Sequence, residues 1–330
     1  MVIRWGIAGT GGFASSVAAT LEWMSEAELV AIASSHHDEL RILGDLHGVP
    51  SARRYSSYEA LAADDEVDLI YVATPASHHF EHTVLFLTAG RGVVCETPFG
   101  LNEAQAAAMV AAARAEGRFL METSARNLPV YVRLREVMAS DAIGEVVAFS
   151  SDYGYAVRDR DDPWLDPARG GGALLRQGVY PLSLASMLLG TPERVTALGA
   201  IGDTGIDEHV AVLTSHSGGA TAAVTASLRT HLTRTARISG TRGSITVPGL
   251  ITAPTTLVVQ GGDRYGRLDL PFDREGGRSV PGAGFHHQVR HVHRRLRDGH
   301  LDSDIMPLDE SQSIMRTLDT VRAQIGARPT

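Results

Sequence analysis

Six residues near the start of the chain, Gly9-Thr10-Gly11-Gly12-Phe13-Ala14, have the types and spacing to hold a pyrophosphate. In a Gly-x-Gly-x-x-Ala turn between a strand and a helix, the first glycine permits the tight bend. The second carries no Cβ to keep phosphates off the backbone, and the small alanine lets helix and strand pack closely. Backbone N–H groups at the helix start then face the ligand, and the helix dipole favours an anion there. The same residues also suit a strand-to-helix turn that binds nothing, so the neighbouring elements must decide.

The choice of dinucleotide turns on residues about twenty positions further on. A carboxylate there would take the ribose hydroxyls of NAD and repel a 2′-phosphate. Ser34, Ser35, His36 and His37 stand at that place, with no acid before Asp38 and Arg41 one turn into the next helix. Hydroxyls and imidazoles tolerate a phosphate, which favours NADP slightly; loop histidines that touch nothing are the alternative. A second histidine cluster, His286, His287, His291 and His293, includes the i,i+4 spacing that grips a metal on a helix. No cysteine or carboxylate accompanies it at ligand spacing, so no metal is expected, and a solvated or partner-facing helix is.

The elements that must position these groups read as strands alternating with helices. Strands are expected at 2–8, 28–33, 68–73, 92–96 and 119–122, with helices between them. Asn102-x-x-Gln105 forms a capping box for the alanine-rich helix that Gly117 stops. The strand runs are continuously apolar rather than alternating, which implies a parallel sheet covered on both faces. From about residue 144 the pattern changes to strands near 145–155, 194–201, 209–216, 220–228, 235–240 and 244–247. Helices are expected at 172–189, 284–297 and 309–325, and 248–284 reads as the most loop-like part. The expected fold class is therefore α/β. A Rossmann doubly wound parallel sheet spans 1–122, and an α+β domain with a large, mostly antiparallel sheet spans 123–330.

Bulk properties narrow the partners. A chain of 330 residues is long for one core. A net charge of −8 argues against sequence-independent binding to nucleic acid. No apolar run approaches the roughly 18 residues of a membrane span, and the N-terminus lacks the basic and apolar regions of a signal peptide. The single cysteine, Cys95, suits a reducing compartment, so a cytoplasmic protein is expected.

Several motifs in order resemble the glucose-fructose oxidoreductase / inositol dehydrogenase (Gfo/Idh/MocA) family. They are Gly6-Ile7-Ala8-Gly9-Thr10-Gly11, Ala73-Thr74-Pro75, Cys95-Glu96-Thr97-Pro98, Ala142-Ile143-Gly144-Glu145-Val146 and Gly170-Gly171-Gly172-Ala173-Leu174-Leu175. Gly178-Val179-Tyr180-Pro181-Leu182, Asp207-Glu208-His209, Gly240-Thr241-Arg242-Gly243 and Met306-Pro307-Leu308-Asp309-Glu310-Ser311 complete the series. Gly178-Val179-Tyr180 and the C-terminal helix are similar to the dihydrodiol and sugar dehydrogenase branch. The resemblance implies NAD(P) as cofactor and hydride transfer at a carbinol or carbonyl carbon of a sugar, cyclitol or related compound, where the two domains meet. It also implies subunits paired through an open sheet as a homodimer or homotetramer. Cofactor contacts carry over to Gly9, Thr10, Gly11, Gly12, Phe13, Ala14, Ser34, Ser35, His36, Thr74, Pro75, His79, Glu96 and Pro98.

Departures from the family pattern fall on its proton-transfer residues. The resemblance places the family's lysine at Thr97, its aspartate at Arg176, its third catalytic residue at Tyr180, and an asparagine at Ala76. A threonine hydroxyl is too weak an acid to replace an ammonium group, though it can relay a proton. Arg176 stays charged and cannot act as a base. Tyr180, with a reference pKa of about 10, can exchange a proton, and a cation beside it would favour the phenolate. Tyr180 as acid/base, with Arg176 fixing a carboxylate or phosphate of a small-molecule substrate, is one reading. The alternatives are a buried Tyr180 with a satisfied hydroxyl, an Arg176 salt bridge to Asp166 or its neighbours, and plain loss of the base at Thr97. A dinucleotide-binding sensor, or a repurposed enzyme, is accordingly the competing functional expectation.

Overall fold

Short apolar runs that end in Gly, Ser or Thr recur along the first third of the chain, and each becomes a strand. The computed structural model describes residues 2–261, 264–275 and 278–327. It divides into two units: Met1–Gly100, Ala104–Asn127 and Asp273–Ser311 form one, and Leu101–Glu103, Leu128–Phe272 and Gln312–Thr330 the other.

In the first unit the elements are β1 (Ile3–Ala8), α1 (Gly12–Trp23), β2 (Ala27–Ala33), α2 (His37–Leu46), β3 (Arg54–Tyr55) and α3 (Tyr58–Ala62). They continue with β4 (Leu69–Val72), α4 (His79–Thr88), β5 (Gly92–Cys95), α5 (Glu103–Glu116) and β6 (Leu120–Glu122). The sheet runs β3-β2-β1-β4-β5-β6, parallel throughout. Every residue of β4, β5 and β6 is buried, as a strand covered on both faces requires. Register does the positioning. Ala8 pairs with Val72, Val72 with Cys95, and Cys95 with Glu122, so the residues after these strands line up along one carboxyl edge. The strand order reverses between β1 and β4, the crevice where open α/β sheets bind ligands.

A later segment returns to this unit. Helix α8 (Phe285–Arg297) buries Val289 and Val292 in the core that holds Ile3, Trp5, Val17 and Leu21. That return corrects the expectation of a solvated histidine helix: His286, His291 and His293 are buried, and Trp5 Nε1 donates to His293 Nε2 at 3.0 Å. Of the i,i+4 pair, His291 is buried against the Ser303 hydroxyl at 2.8 Å and His287 is partly buried, so the face does not lie in water.

The second unit contains α6 (Pro129–Ala139), β7 (Val146–Gly154), α7 (Val179–Leu189), β8 (Arg194–Ile201), β9 (Asp207–Ser215) and β10 (Thr221–Ser227). It adds β11 (Ala236–Gly240), β12 (Gly243–Val247), β13 (Thr256–Gly261) and β14 (Arg264–Asp269), and most of α9 (Leu308–Ile325). Its eight strands run β14-β13-β12-β11-β7-β10-β9-β8; β7 and β10 are parallel and all other pairs antiparallel. Burial alternates along β9 and β10, so one face is covered while Leu198, Leu213 and Val147 lie exposed on their strands. One expectation fails here, and one stretch went unread. The stretch read as loop holds the β13–β14 hairpin, and the unread stretch after residue 122 holds α6, whose Pro129 occupies the first turn that suits proline.

Burial holds the His293 and His286 imidazoles down to about 4, against an ordinary 6.5. The unfolded chain therefore takes up protons that the folded one refuses. The stability these residues carry is complete above pH 6.5 and is lost as pH falls through 4. The urea midpoint is expected to drop between about pH 7 and about pH 5. His293→Gln, which keeps an acceptor for Trp5, is expected to drop less; a variant that parallels the parent would remove His293 from the acid response.

Candidate active site

The end of β1 shows why glycines stand where they do. Gly9 takes φ +107°, and a Cβ on it would lie 2.6 Å from the Ala73 carbonyl oxygen. Its N–H donates to the Ala33 carbonyl at 2.8 Å, which ties the turn to the end of β2. A Cβ on Gly11 or Gly12 would meet nothing within 4 Å, so the space before them is open. No side chain caps α1 and its first turn holds no acid. Its first N–H groups thus keep their capacity for an anion, and Ala14 is fully buried where helix meets strand. The residues present fit a dinucleotide pyrophosphate. Phe13 is exposed, its ring edge-on to Phe285 at 6.3 Å.

At the end of β2, Ser34 is buried and its hydroxyl accepts the His36 N–H at 3.1 Å, while Ser35 and His36 are exposed. Thr10 lies 3.2 Å from the Ser34 hydroxyl and donates to Glu39 Oε2 at 2.6 Å. Sequence reasoning missed Glu39. It sits in the first turn of α2, next to Asp38 and past the strand end where a ribose-binding acid is expected. A helix opening beside the glycine turn can lean a side chain back across it, and that was the available signal.

After β4, Thr74 and Pro75 lead into α4. His79 is buried, with Nδ1 2.8 Å from the Pro98 carbonyl oxygen and Nε2 2.8 Å from that of Thr74. His79 therefore fastens two loops of this edge together. The Thr74 hydroxyl also meets His82 Nδ1 at 3.0 Å.

After β5 comes the most loaded part of the edge. Glu96 is buried and Tyr71 donates its phenolic hydrogen to Glu96 Oε1. The Thr97 N–H lies 3.2 Å from both Glu96 Oε2 and Thr123 Oγ1. The Thr97 hydroxyl donates to the Thr123 carbonyl at 2.8 Å and stands 3.2 Å from Glu122 Oε1. Burial raises the Glu96 carboxyl despite these bonds, and burial pushes that of Glu122 up to about 7. Thr97 is partly exposed while Glu96, Pro98 and Glu122 are buried. The chain contains no lysine at all; every one of its 30 basic residues is arginine. Glu122 escaped the sequence reading, although a carboxylate ending a buried strand at the ligand edge of a parallel sheet was a usable signal.

In the second unit Arg176 lies in a π-helical turn, Leu174–Gly178, that leads into α7. The turn is pinned by Asp207, whose carboxylate accepts the Leu174 N–H at 2.6 Å and is pushed up to about 6 by burial. Arg176 Nε donates to the Gly170 carbonyl at 3.0 Å and Nη2 to that of Arg169 at 2.7 Å. Asp166 instead stands 3.7 Å from Arg169, so the salt bridge offered as an alternative is not made. The Nε–Nη2 edge, which a bidentate substrate carboxylate would use, is spent on backbone. Tyr180 follows one turn later, its ring 5.3 Å from that of Tyr153; burial lowers the pKa of Arg176, and attraction to Tyr180 opposes that shift. Among the described residues no three His, Cys, Asp or Glu side chains are placed to hold a metal ion.

Comparison with known proteins agrees with this architecture. Residues 3–124 match an oxidoreductase family with an NAD-binding Rossmann fold, and residues 131–246 match the GFO/IDH/MocA C-terminal domain. The chain is 34% identical to trans-1,2-dihydrobenzene-1,2-diol dehydrogenase of Homo sapiens, over 99% of this chain and 98% of that protein. The Mus musculus enzyme of that name is also 34% identical over the same shares. Among solved structures, aldose-aldose oxidoreductase from Caulobacter crescentus shares the fold with a TM-score of 0.88 at 23% identity, over 98% of this chain and 97% of that one. A 3-ketoreductase from Actinomadura kijaniata, in complex with NADP and TDP-benzene, has a TM-score of 0.84 at 25% identity over 98% of each chain. With both domains matched in order and a curated relative aligned end to end, the chain belongs to the Gfo/Idh/MocA family of NAD-binding oxidoreductases.

Proposed function

We propose that this protein transfers hydride between a nicotinamide dinucleotide and a hydroxyl-bearing ring carbon, that of a sugar, cyclitol or cyclic vicinal diol. The observation that carries the reading is the open, acid-free start of α1 behind Gly9 and Gly11, placed at the switch point of the sheet. Relatives named as dihydrodiol dehydrogenases support the diol and sugar class. The nicotinamide supplies the hydride or receives it. The chain's own residues then bind, orient and move a proton. Tyr180 hydrogen-bonds and orients the reacting oxygen, and Arg176 holds the Gly170 loop through its bond to the Gly170 carbonyl. The substrate need not be anionic, because Arg176 already serves two carbonyls.

For the cofactor we propose NAD over NADP, reversing the preference read from Ser34, Ser35 and His36. Glu39, bonded to Thr10, sets a carboxylate beside the turn; it can accept from ribose hydroxyls and repels a 2′-phosphate. A second reading is favoured by the absence of lysine: a protein that binds the dinucleotide without net turnover, as a sensor. For the oligomer we propose pairing of two chains through the open face of the eight-stranded sheet, where Leu198 is 78% exposed and Leu213 59%.

Three measurements test these statements. NADH is expected to bind at least about tenfold more tightly than NADPH, with Glu39→Arg inverting the order by fluorescence titration; a parent that prefers NADPH would reject the role of Glu39. Turnover with a panel of sugars, cyclitols and cyclic diols should change nicotinamide absorbance, and Tyr180→Phe should lower kcat about a hundredfold or more. Binding without turnover on the whole panel would favour the sensor, and an unchanged kcat would remove Tyr180 from the chemistry. Leu198→Asp with Leu213→Asp is expected to halve the mass seen by light scattering, and a parent that is already monomeric would sink the pairing.

A further inference from the structure

A proton-transfer site that has lost its lysine still needs a group that changes charge near neutrality. Tyrosine, with a reference pKa of about 10, is mostly protonated there, and arginine never gives up its proton. The first unit holds one arrangement that meets the need. Glu122 ends β6, is buried, and faces the Thr97 hydroxyl at 3.2 Å. Its other neighbours are the Phe99 N–H and the Ser311 hydroxyl, both fully buried, and the Arg126 guanidinium, buried and paired with Glu310 at 2.9 Å. Cys95 and Glu96 complete the surrounding titratable groups. Cys95 is a buried thiol raised well above its ordinary range, and Glu96 is bonded to Tyr71. Of these groups only Thr97 is partly exposed.

We propose that Glu122 is the proton reservoir of this enzyme and that Thr97 is the hydroxyl through which its proton reaches the reacting oxygen. The proposal rests on the oxidoreductase reading above. The hydrogen bonds define the path. The single hydrogen of Thr97 points to the Thr123 carbonyl at 2.8 Å, which leaves Thr97 Oγ1 able to accept from a protonated Glu122. When a carbonyl carbon receives hydride from the reduced nicotinamide dinucleotide, its π pair becomes a lone pair on oxygen. The Thr97 hydroxyl turns from the Thr123 carbonyl to that oxygen and gives up its hydrogen, Thr97 Oγ1 takes the Glu122 carboxyl hydrogen, and Glu122 is left as carboxylate. Oxidation of a carbinol runs the same transfers backwards. Thr97 ends each cycle unchanged, so the weakness of threonine as an acid is no obstacle; it passes a proton that it never has to hold as a charge.

This assigns Glu122 a pH dependence whose sign differs between directions. Reduction needs the protonated carboxyl and is expected to slow as pH rises through about 7, whereas oxidation needs the carboxylate and is expected to quicken over the same range. Two experiments on the full chain decide. Difference infrared titration without substrate, parent against Glu122→Gln, is expected to show one protonated-carboxyl band. It should be absent in the variant and fade as pH rises through about 7. A band that fades in the ordinary glutamate range overturns the proposal. The second is the pH profile of kcat in each direction. Glu122→Gln and Thr97→Val should lose the limb near neutrality, Thr97→Ser should keep it, and Tyr180→Phe should lower the rate with the limb intact. Should Glu122→Gln fail to fold, Thr97→Val carries the test. Turnover with the limb unchanged in Thr97→Val overturns the proton path and leaves the oxidoreductase standing. Absence of turnover in the parent brings down the oxidoreductase reading and this proposal together.

Discussion

Two buried carboxyl groups flank Thr97 on the carboxyl edge of a parallel sheet, and no lysine exists in the chain to neutralise them. Most of the local design follows from that constraint. A buried carboxylate without a cation must find donors or keep its proton. Glu96 finds Tyr71, the Thr97 N–H and Thr123; Glu122 finds the Thr97 hydroxyl and the Phe99 N–H. The one arginine close to Glu122 is committed to Glu310. Burial outweighs the donors in both cases, so both groups stand above the ordinary glutamate range.

Such an edge is useful only if it is rigid, and its rigidity comes from register and from polar staples. Parallel pairing carries Ala8, Val72, Cys95 and Glu122 to one line, so that the turns after four strands meet. His79 then spans the carbonyls of Thr74 and Pro98, and Gly9 presses its bare Cα against Ala73. The return of α8 seals the far side of β1 and β2 by placing Val289, Val292 and His293 against α1 and Trp5. A site on strand ends held this way needs little reorganisation to meet a ligand.

How far all this was legible in the sequence depends on the range of the signal. The parallel sheet announced itself because each strand is a continuous apolar run with a glycine, serine or threonine at its end. The glycine turn was legible because its residue types have few other uses in that order. Histidines 286, 291 and 293 were misread because spacing gives a face but not its neighbour, and only α1 reveals that the face is buried. The β13–β14 hairpin was hidden by the glycines and prolines around it. Glu39 and Glu122 had positional signals, a helix start beside the glycine turn and a strand end at the ligand edge, but their partners, the Thr10 and Thr97 hydroxyls, are distant in sequence and only tertiary contact makes those pairs. The departure at Thr97 was plain from the motif, and its consequence was not.

That consequence is a matter of where a proton resides rather than whether one is present. A lysine at position 97 would sit as a cation beside Glu96 and Glu122 and hold both as carboxylates, with the exchangeable proton on nitrogen. Threonine removes the cation, and the same burial then works against ionisation. For Glu122 the displacement from the ordinary value is worth on the order of 3 kcal/mol against the charged form, more than the roughly 1 kcal/mol that a neutral hydrogen bond returns. On the proton path proposed above, the exchangeable proton resides on a buried carboxyl, one hydroxyl behind the partly exposed Thr97. The departure that reads in the sequence as loss of a base is, on that path, its relocation.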